Sequence, residues 1–184
     1  MSSQAIEFAA TSRLRDGRLI WLRRLRADDA EAVVALHGHL TGHDRYCRFF
    51  ALTPVQLDQL VSRLIEPGNG QCALGAFGGG RLIGVANYTV SDDPDSAEIA
   101  IVVAHKDHSL GVGTALLEYL AQVARAHGIR HFEADVLADN DPMLVALFDF
   151  GWPSRRPNHG SVLHLNIEPP DGISEASTAS NEIL

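Results

Sequence analysis

Cysteine, lysine and long apolar runs are what this 184-residue chain has least of. Cys47 and Cys72 are its two cysteines. They form no framework, so they are read as two free thiols in a reducing compartment rather than a disulfide. Lys106 is the one lysine, and arginine supplies the rest of the fixed positive charge. The formal net charge is −8, which sets a nucleic-acid partner aside, since such proteins are usually basic. No apolar run approaches the length of a membrane span, and Met1–Thr11 lacks the basic-then-apolar pattern of a secretory signal. The expectation is a cytoplasmic protein with no membrane partner. What is present is 46% hydrophobic residues, enough for one domain with a real core.

Read in order, residues 1–12 are small, polar and aperiodic, and are expected to be a flexible tail. Arg18–Arg24 alternates basic and apolar residues after the Asp16-Gly17 turn and predicts a first strand. Asp28 and Glu31 form a candidate capping pair for a helix through Leu40. Thr41–Phe50 concentrates Arg45, Tyr46, Arg48, Phe49 and Phe50. Thr53-Pro54 with Gln56 predicts a helix start, and that helix stops at Pro67-Gly68. Cys72–Phe77 and Arg81–Tyr88 flank Gly78-Gly79-Gly80 as a hairpin. Ala97–Val103 and His131–Leu137 are strands around a long helix that begins at Gly111 and ends at Gly128. Pro142–Phe150 is a short helix closed by Gly151, Val162–Ile167 a last strand, and residues 168–184 a flexible tail. One domain over 13–167 follows. Its class is α/β, a mixed and mostly antiparallel sheet with helices on both faces.

His108–Leu117 carries the chemistry. Strand, Gly111-Val112-Gly113, then helix is a cradle for an anion, because the first N–H groups of a helix lack internal partners and the dipole favours negative charge there. No Lys-Ser/Thr follows the second glycine, which excludes a Walker-type loop. No third glycine completes a dinucleotide fingerprint.

His108-Ser109-Leu110-Gly111-Val112-Gly113 resembles the Arg/Gln-X-X-Gly-X-Gly/Ala signature of the GNAT superfamily of N-acetyltransferases, with His108 in place of Arg or Gln. Asn140, Met143, Leu147 and Gly151-Trp152 resemble its second signature. Three further stretches are similar to bacterial protein lysine acetyltransferases: Gly17–Asp29, Asp44-Arg45-Tyr46-Cys47-Arg48-Phe49-Phe50, and Ala97-Glu98-Ile99-Ala100. The resemblance implies a GNAT-like splayed sheet with a V-shaped cleft for acetyl-CoA. It implies a direct transfer of the acetyl group to an amine, most plausibly a protein lysine. The alternatives are a small-molecule amine, or a non-catalytic acyl-CoA-binding module. It implies Glu98 as general base, with Asp95, Glu133 and Asp135 as alternates. Ile101, Val102 and Val103 would offer backbone groups to the thioester and pantetheine arm. His108, Ser109, Leu110, Gly111, Val112, Gly113 and Thr114 would hold the pyrophosphate, and Asn140 the arm.

An attacking lysine must be neutral, and with a pKa near 10.4 its deprotonation at neutral pH costs about 4–5 kcal/mol unless a base relieves it. Glu98 would do so best if buried, with its pKa raised. A bulge in this strand, as some family members carry, would change whether Glu98 faces the cleft. The usual tyrosine acid is replaced by Leu147, and the neighbouring Phe148 has no hydroxyl. Asp92, Asp93 and Asp95 make either an attracting rim or a solvated turn. Arg45, Tyr46 and Arg48 are placed to meet either the acceptor or the nucleotide end of the cofactor. His37, His39 and His43 lack a clear fourth ligand for zinc, so no metal is expected. The chain is read as a monomer or homodimer.

Overall fold

A computed structural model describes residues 9–49, 56–150 and 162–168. Seven strands form one sheet in sequence order: β1 (Ala9–Arg13), β2 (Leu19–Arg24), β3 (Gln71–Gly78), β4 (Arg81–Val90), β5 (Ser96–Val103), β6 (His131–Leu137) and β7 (Val162–Ile167). Every neighbouring pair is antiparallel except β5 and β6. Among the described residues five α-helices cover it: α1 (Ala30–Gly38), α2 (Gly42–Phe49), α3 (Leu57–Ile65), α4 (Val112–Ala126) and α5 (Asp141–Asp149).

The first strand corrects the expected tail, because Ala9–Ser12 pairs with Leu22, Trp21 and Ile20 of β2 and with Arg23. Its residues alternate between exposed and half-buried. Backbone pairing holds this edge, and Ala, Thr and Ser give it little apolar signal to read. The helix expected from Asp28 to Leu40 is shorter, and its cap differs. A 3-10 turn at Ala27–Asp29 precedes α1, and buried Asp29 accepts from the Arg26 amide at 2.8 Å and from both terminal nitrogens of Arg23 at 2.7 and 2.9 Å. That pairing holds the Asp29 carboxyl below its usual range, with the backbone bond adding to it. The expected helix start at Thr53-Pro54 lies outside the described residues, as do Phe50, Gly151 and Trp152.

β3 and β4 are buried along most of their length because helices press on both faces. On one face, α4 turns Val112, Leu116, Tyr119, Leu120 and Val123 inward, at the three- and four-residue spacing of one helical face. Leu116, Leu117 and Leu120 are fully buried, each stabilising by roughly 2 kcal/mol. On the other face, Val33, Leu36, Val61 and Leu64 of α1 and α3 pack on Ala73, Leu82, Val85 and Val102. Gly79 and Gly80 both have positive φ, +57° and +73°, as a tight two-residue hairpin turn requires.

The sheet is splayed. β5 and β6 pair only at Ser96–Glu98 with His131–Glu133. Beyond that, β6 stays with β7 through Leu137, while β5 stays with β4 through Val103. A wedge therefore opens between the carboxyl ends of two parallel strands, with α4 beginning beside it.

Candidate active site

The wedge is a cleft, and its walls come from five places in the chain, one of them α2 through Asp44, Cys47 and Arg48. Ile101, Val102 and Val103 end β5; His108, Ser109, Gly111, Val112, Gly113 and Thr114 form the cradle; Asn140 and Met143 open α5; Arg15 reaches in from the β1–β2 turn. All the residues expected to meet the cofactor line it except Leu110. Leu110 packs on the core, and its carbonyl accepts the Arg15 amide at 3.0 Å.

The cradle fits an anion on two observations. Gly111 caps α4 in the left-handed region, at φ +96°, and among the described residues no side chain bonds the first amides of the helix. A Cβ placed on Gly111 would meet nothing within 4 Å. The glycine is thus required by its backbone conformation, and open space lies above it for a ligand. Gly113 answers to a different demand. A Cβ there would stand 3.2 Å from the Ala146 Cβ of α5, so this glycine lets α5 pack close to α4. Ser109, at φ +61°, is the one non-glycine residue with positive φ among the described residues, which marks the loop as conformationally strained.

The His108 ring does not project freely from the cradle. Its Nε2 lies 3.0 Å from the Val103 carbonyl, and a carbonyl only accepts, so the proton sits on Nε2. Asn140 uses its side-chain oxygen to cap α5, accepting the Met143 amide at 3.3 Å; only its NH2 is left to meet a pantetheine arm.

β5 and β4 keep one register from Gly84↔Val103 to Val90↔Ala97 without a bulge. Side chains alternate between the faces accordingly. Ala97, Ile99, Ile101 and Val103 belong to the α4 side, and Val102 to the α1–α3 side. Glu98 shares the parity of Val102 and lies on that second face, next to Glu133 across the parallel pair. The burial expected of Glu98 is not observed; the residue is exposed.

Glu98 has a cationic neighbour, Arg48 of α2, whose guanidinium it favours electrostatically. Arg48 donates from Nη2 to the Asn87 side-chain oxygen at 3.1 Å and lies 5.0 Å from the Phe49 ring centroid. Burial brings its pKa down to about 10, with Glu98 opposing that shift, so it stays charged at neutral pH. Among the described residues its buried Nε has no hydrogen-bond partner. Arg48 lines the cleft and also a second groove, between α3 and strands β3 and β4, whose polar lining includes Gln59, Arg63, Asn87 and Thr89. The two depressions thus meet at Arg48.

The alternate bases are placed elsewhere. Glu133 accepts the Ser91 hydroxyl at 2.9 Å, Asp135 is exposed and paired with His164, and Asp95 sits in the exposed β4–β5 turn. In that turn Asp93 accepts the Ser96 hydroxyl and the Asp95 amide, so these aspartates serve as turn residues. Leu147 is buried in the core and Phe148 is exposed, so α5 places no tyrosine at the cleft.

Arg45 and Tyr46 do not line the cleft, whereas Asp44 and Cys47 of the same helix do. The Cys47 thiol is pushed up by burial and by Asp139 and Asp44, the opposite of an activated nucleophile. His37 and His39 each bond the carbonyl four residues back, at 2.8 and 2.6 Å. Two other sets bring metal-ligand atoms within 4.8 Å of one another, His43 with Cys47 and Asp139, and Asp44 with His105 and His108. No described helix is long and apolar enough to cross a membrane.

Arg15, Asp149 and Ala146 also line the cleft and are invisible to motif reading. Arg15 bonds the Ser109 carbonyl at 3.3 Å and the Asp149 carboxylate. The Asp16-Gly17 signal gives a turn, but not that the turn lands on a cradle almost a hundred residues later.

Known proteins share this arrangement. The model of the acetyltransferase (GNAT) family matches residues 39–152. An acetyltransferase of Pseudomonas aeruginosa is 29% identical over 148 residues, 78% of this chain and 80% of that protein. The GNAT domain of S. lividans PAT superimposes with a TM-score of 0.75 at 31% identity, covering 87% of this chain and 96% of that domain. A cAMP-binding acyltransferase from Mycobacterium smegmatis shares the fold, with a TM-score of 0.61 at 20% identity over 91% of this chain and 49% of the larger protein. With its cleft, its cradle and these relatives taken together, the chain belongs to the GNAT family of acetyltransferases, enzymes that use acyl-CoA and amine acceptors.

Proposed function

We propose that this enzyme transfers an acetyl group from acetyl-CoA directly to the side-chain amine of a protein lysine, with Glu98 as general base. The observation that carries the reading is the junction at Arg48, where the cofactor cleft meets a second groove, with Glu98 opposite Thr89 of that groove in the β4–β5 register. The thioester would enter along Ile101–Val103 and the acceptor from the Glu98 face. The likeness to the GNAT domain of S. lividans PAT and the matching stretches Asp44–Phe50 and Ala97–Ala100 favour a protein lysine over a small amine.

In the reaction, the neutral amine nitrogen attacks the thioester carbonyl carbon. The C–N bond forms, the C–S bond breaks, CoA leaves as thiolate, and the nitrogen gives up a second proton to water as the amide forms. Glu98 takes the ammonium proton before attack, directly or through one water. An exposed carboxylate suits a relay through water better than a dry transfer. The backbone at the end of β5 would receive the thioester carbonyl, and the first amides of α4 the pyrophosphate. With no tyrosine at position 147, the departing thiolate takes its proton from solvent; thiol pKa values near 8.5 make it a tolerable leaving group.

The test is acetyl-CoA turnover against a basic protein mixture and, separately, a panel of small amines. Acetylated lysines found by mass spectrometry support the reading. CoA release with one small amine alone keeps the fold and cofactor and replaces the acceptor.

A further inference from the structure

The family's first signature position holds a cation or an amide donor, and here it is His108. With Nε2–H donated to the Val103 carbonyl, the neutral ring has only an acceptor nitrogen left and offers nothing to a phosphate. Among the described residues that line the cleft, few carry positive charge. Asp44, Asp107 and Asp149 line it. Asp107 is buried and answered by Arg18 at 3.0 Å and Arg81 at 4.0 Å. Asp44 is answered by His105 and the Thr41 hydroxyl. Arg48 lies at the far side, by Glu98. Among the described residues Arg15 is the other arginine lining the cleft, and it is anchored beside the cradle twice, by its amide on the Leu110 carbonyl and by its guanidinium on the Ser109 carbonyl.

We propose that Arg15 is the phosphate-binding cation that position 108 does not supply, held in place by Asp149 until the acyl-CoA arrives. The inference rests on the acyl-CoA reading of the cleft. The guanidinium is half-exposed and the Asp149 carboxylate is partly exposed, so the pair can part at little cost. A guanidinium presents two parallel N–H groups to a phosphate as well as to a carboxylate. On binding, Arg15 exchanges the Asp149 carboxylate for a phosphate of the nucleotide end and keeps its backbone anchor. Asp149 then acts as a competitor, which weakens binding while shaping the empty site.

Calorimetric titration of wild type, Arg15→Ala, Arg15→Lys and Asp149→Asn with CoA, 3′-dephospho-CoA and pantetheine tests this, with thermal unfolding as the check on folding. Arg15→Ala is expected to weaken CoA binding by roughly tenfold or more and to leave pantetheine unchanged, with Arg15→Lys in between. Asp149→Asn is expected to tighten CoA binding, and to have no such effect once Arg15 is alanine. If the Arg15→Ala penalty disappears with dephospho-CoA, the partner is the 3′-phosphate; if it persists, it is the pyrophosphate; either supports the assignment. CoA affinity unchanged in a folded Arg15→Ala variant overturns it. So does Asp149→Asn weakening CoA binding, since a merely structural clasp would lose from both ends. A wild-type protein that binds no CoA overturns the acyl-CoA reading itself, and this inference with it.

Discussion

The two sides of the wedge are built from different materials. The cofactor side is mostly backbone: the unpaired end of β5, the left-handed Gly111 and the uncapped first turn of α4. The proposed acceptor side is mostly side chain: Glu98, Arg48, Asn87 and the polar groups of the second groove. Backbone sites depend on a few residues that the conformation cannot do without. Side-chain sites depend on which residues the fold happens to bring together. The first kind is sensitive to geometry and tolerant of chemistry, and the second is the reverse.

That contrast can be broken most severely at Gly111. A Gly111→Val variant forces a β-branched residue to φ +96°, at a cost of about 1–3 kcal/mol, and places methyl groups where the pyrophosphate would lie. Acyl-CoA binding is expected to fall by about two orders of magnitude or more, read by calorimetry; near-normal affinity would remove the cradle from the site. On the other side, Glu98→Gln keeps shape and removes the base. It should lower kcat by roughly 10²–10⁴-fold with acetyl-CoA affinity unchanged. Wild-type turnover in that variant would move the base elsewhere, with Glu133 the next carboxylate along the sheet.

Smaller effects sharpen the same division. Gly113→Val should act on packing, since its Cβ would press on Ala146; a stability loss of about 1–3 kcal/mol is expected, measured by denaturant unfolding. His37, behind the acceptor-side helices, is buried with its pKa brought down to about 4 by burial, partly opposed by its bond to Val33 and helped by Arg48. Its native form is neutral while the unfolded chain takes up a proton below about pH 6.5. Stability should therefore be intact above pH 6.5 and fall as pH drops from there towards 4, by up to a few kcal/mol. His37→Gln should flatten that dependence in pH-dependent unfolding; an unchanged slope would assign it to other groups.

The same division decides what could be read from the chain. The strand–Gly-X-Gly–helix unit was legible because the helix start, the glycines and the flanking apolar runs are local and periodic. β3 to β6 follow from their apolar runs, and α5 (Asp141–Asp149) agrees with the short helix expected over Pro142–Phe150. β1 was missed because Ala9–Arg13 is held by pairing with β2 rather than by an apolar face. The cap of α1 was assigned to Asp28, whereas Asp29 is the residue that Arg23, from the neighbouring strand, can reach. Glu98 was identified by motif, but its exposed setting and its proximity to Arg48 depend on an unbulged β5 and on where α2 docks. Arg15 lay out of reach for the same reason: its partners Ser109 and Asp149 are far away in sequence.

The most direct measurement of the proposed chemistry is lysine acetylation by wild type and Glu98→Gln, with acetyl-CoA, a basic protein mixture and quantitative mass spectrometry. Lysine-specific acetylation by wild type, lost in the variant at saturating acetyl-CoA, is the expected result. Equal acetylation by both proteins, or none by wild type while a small amine is acetylated, would contradict it.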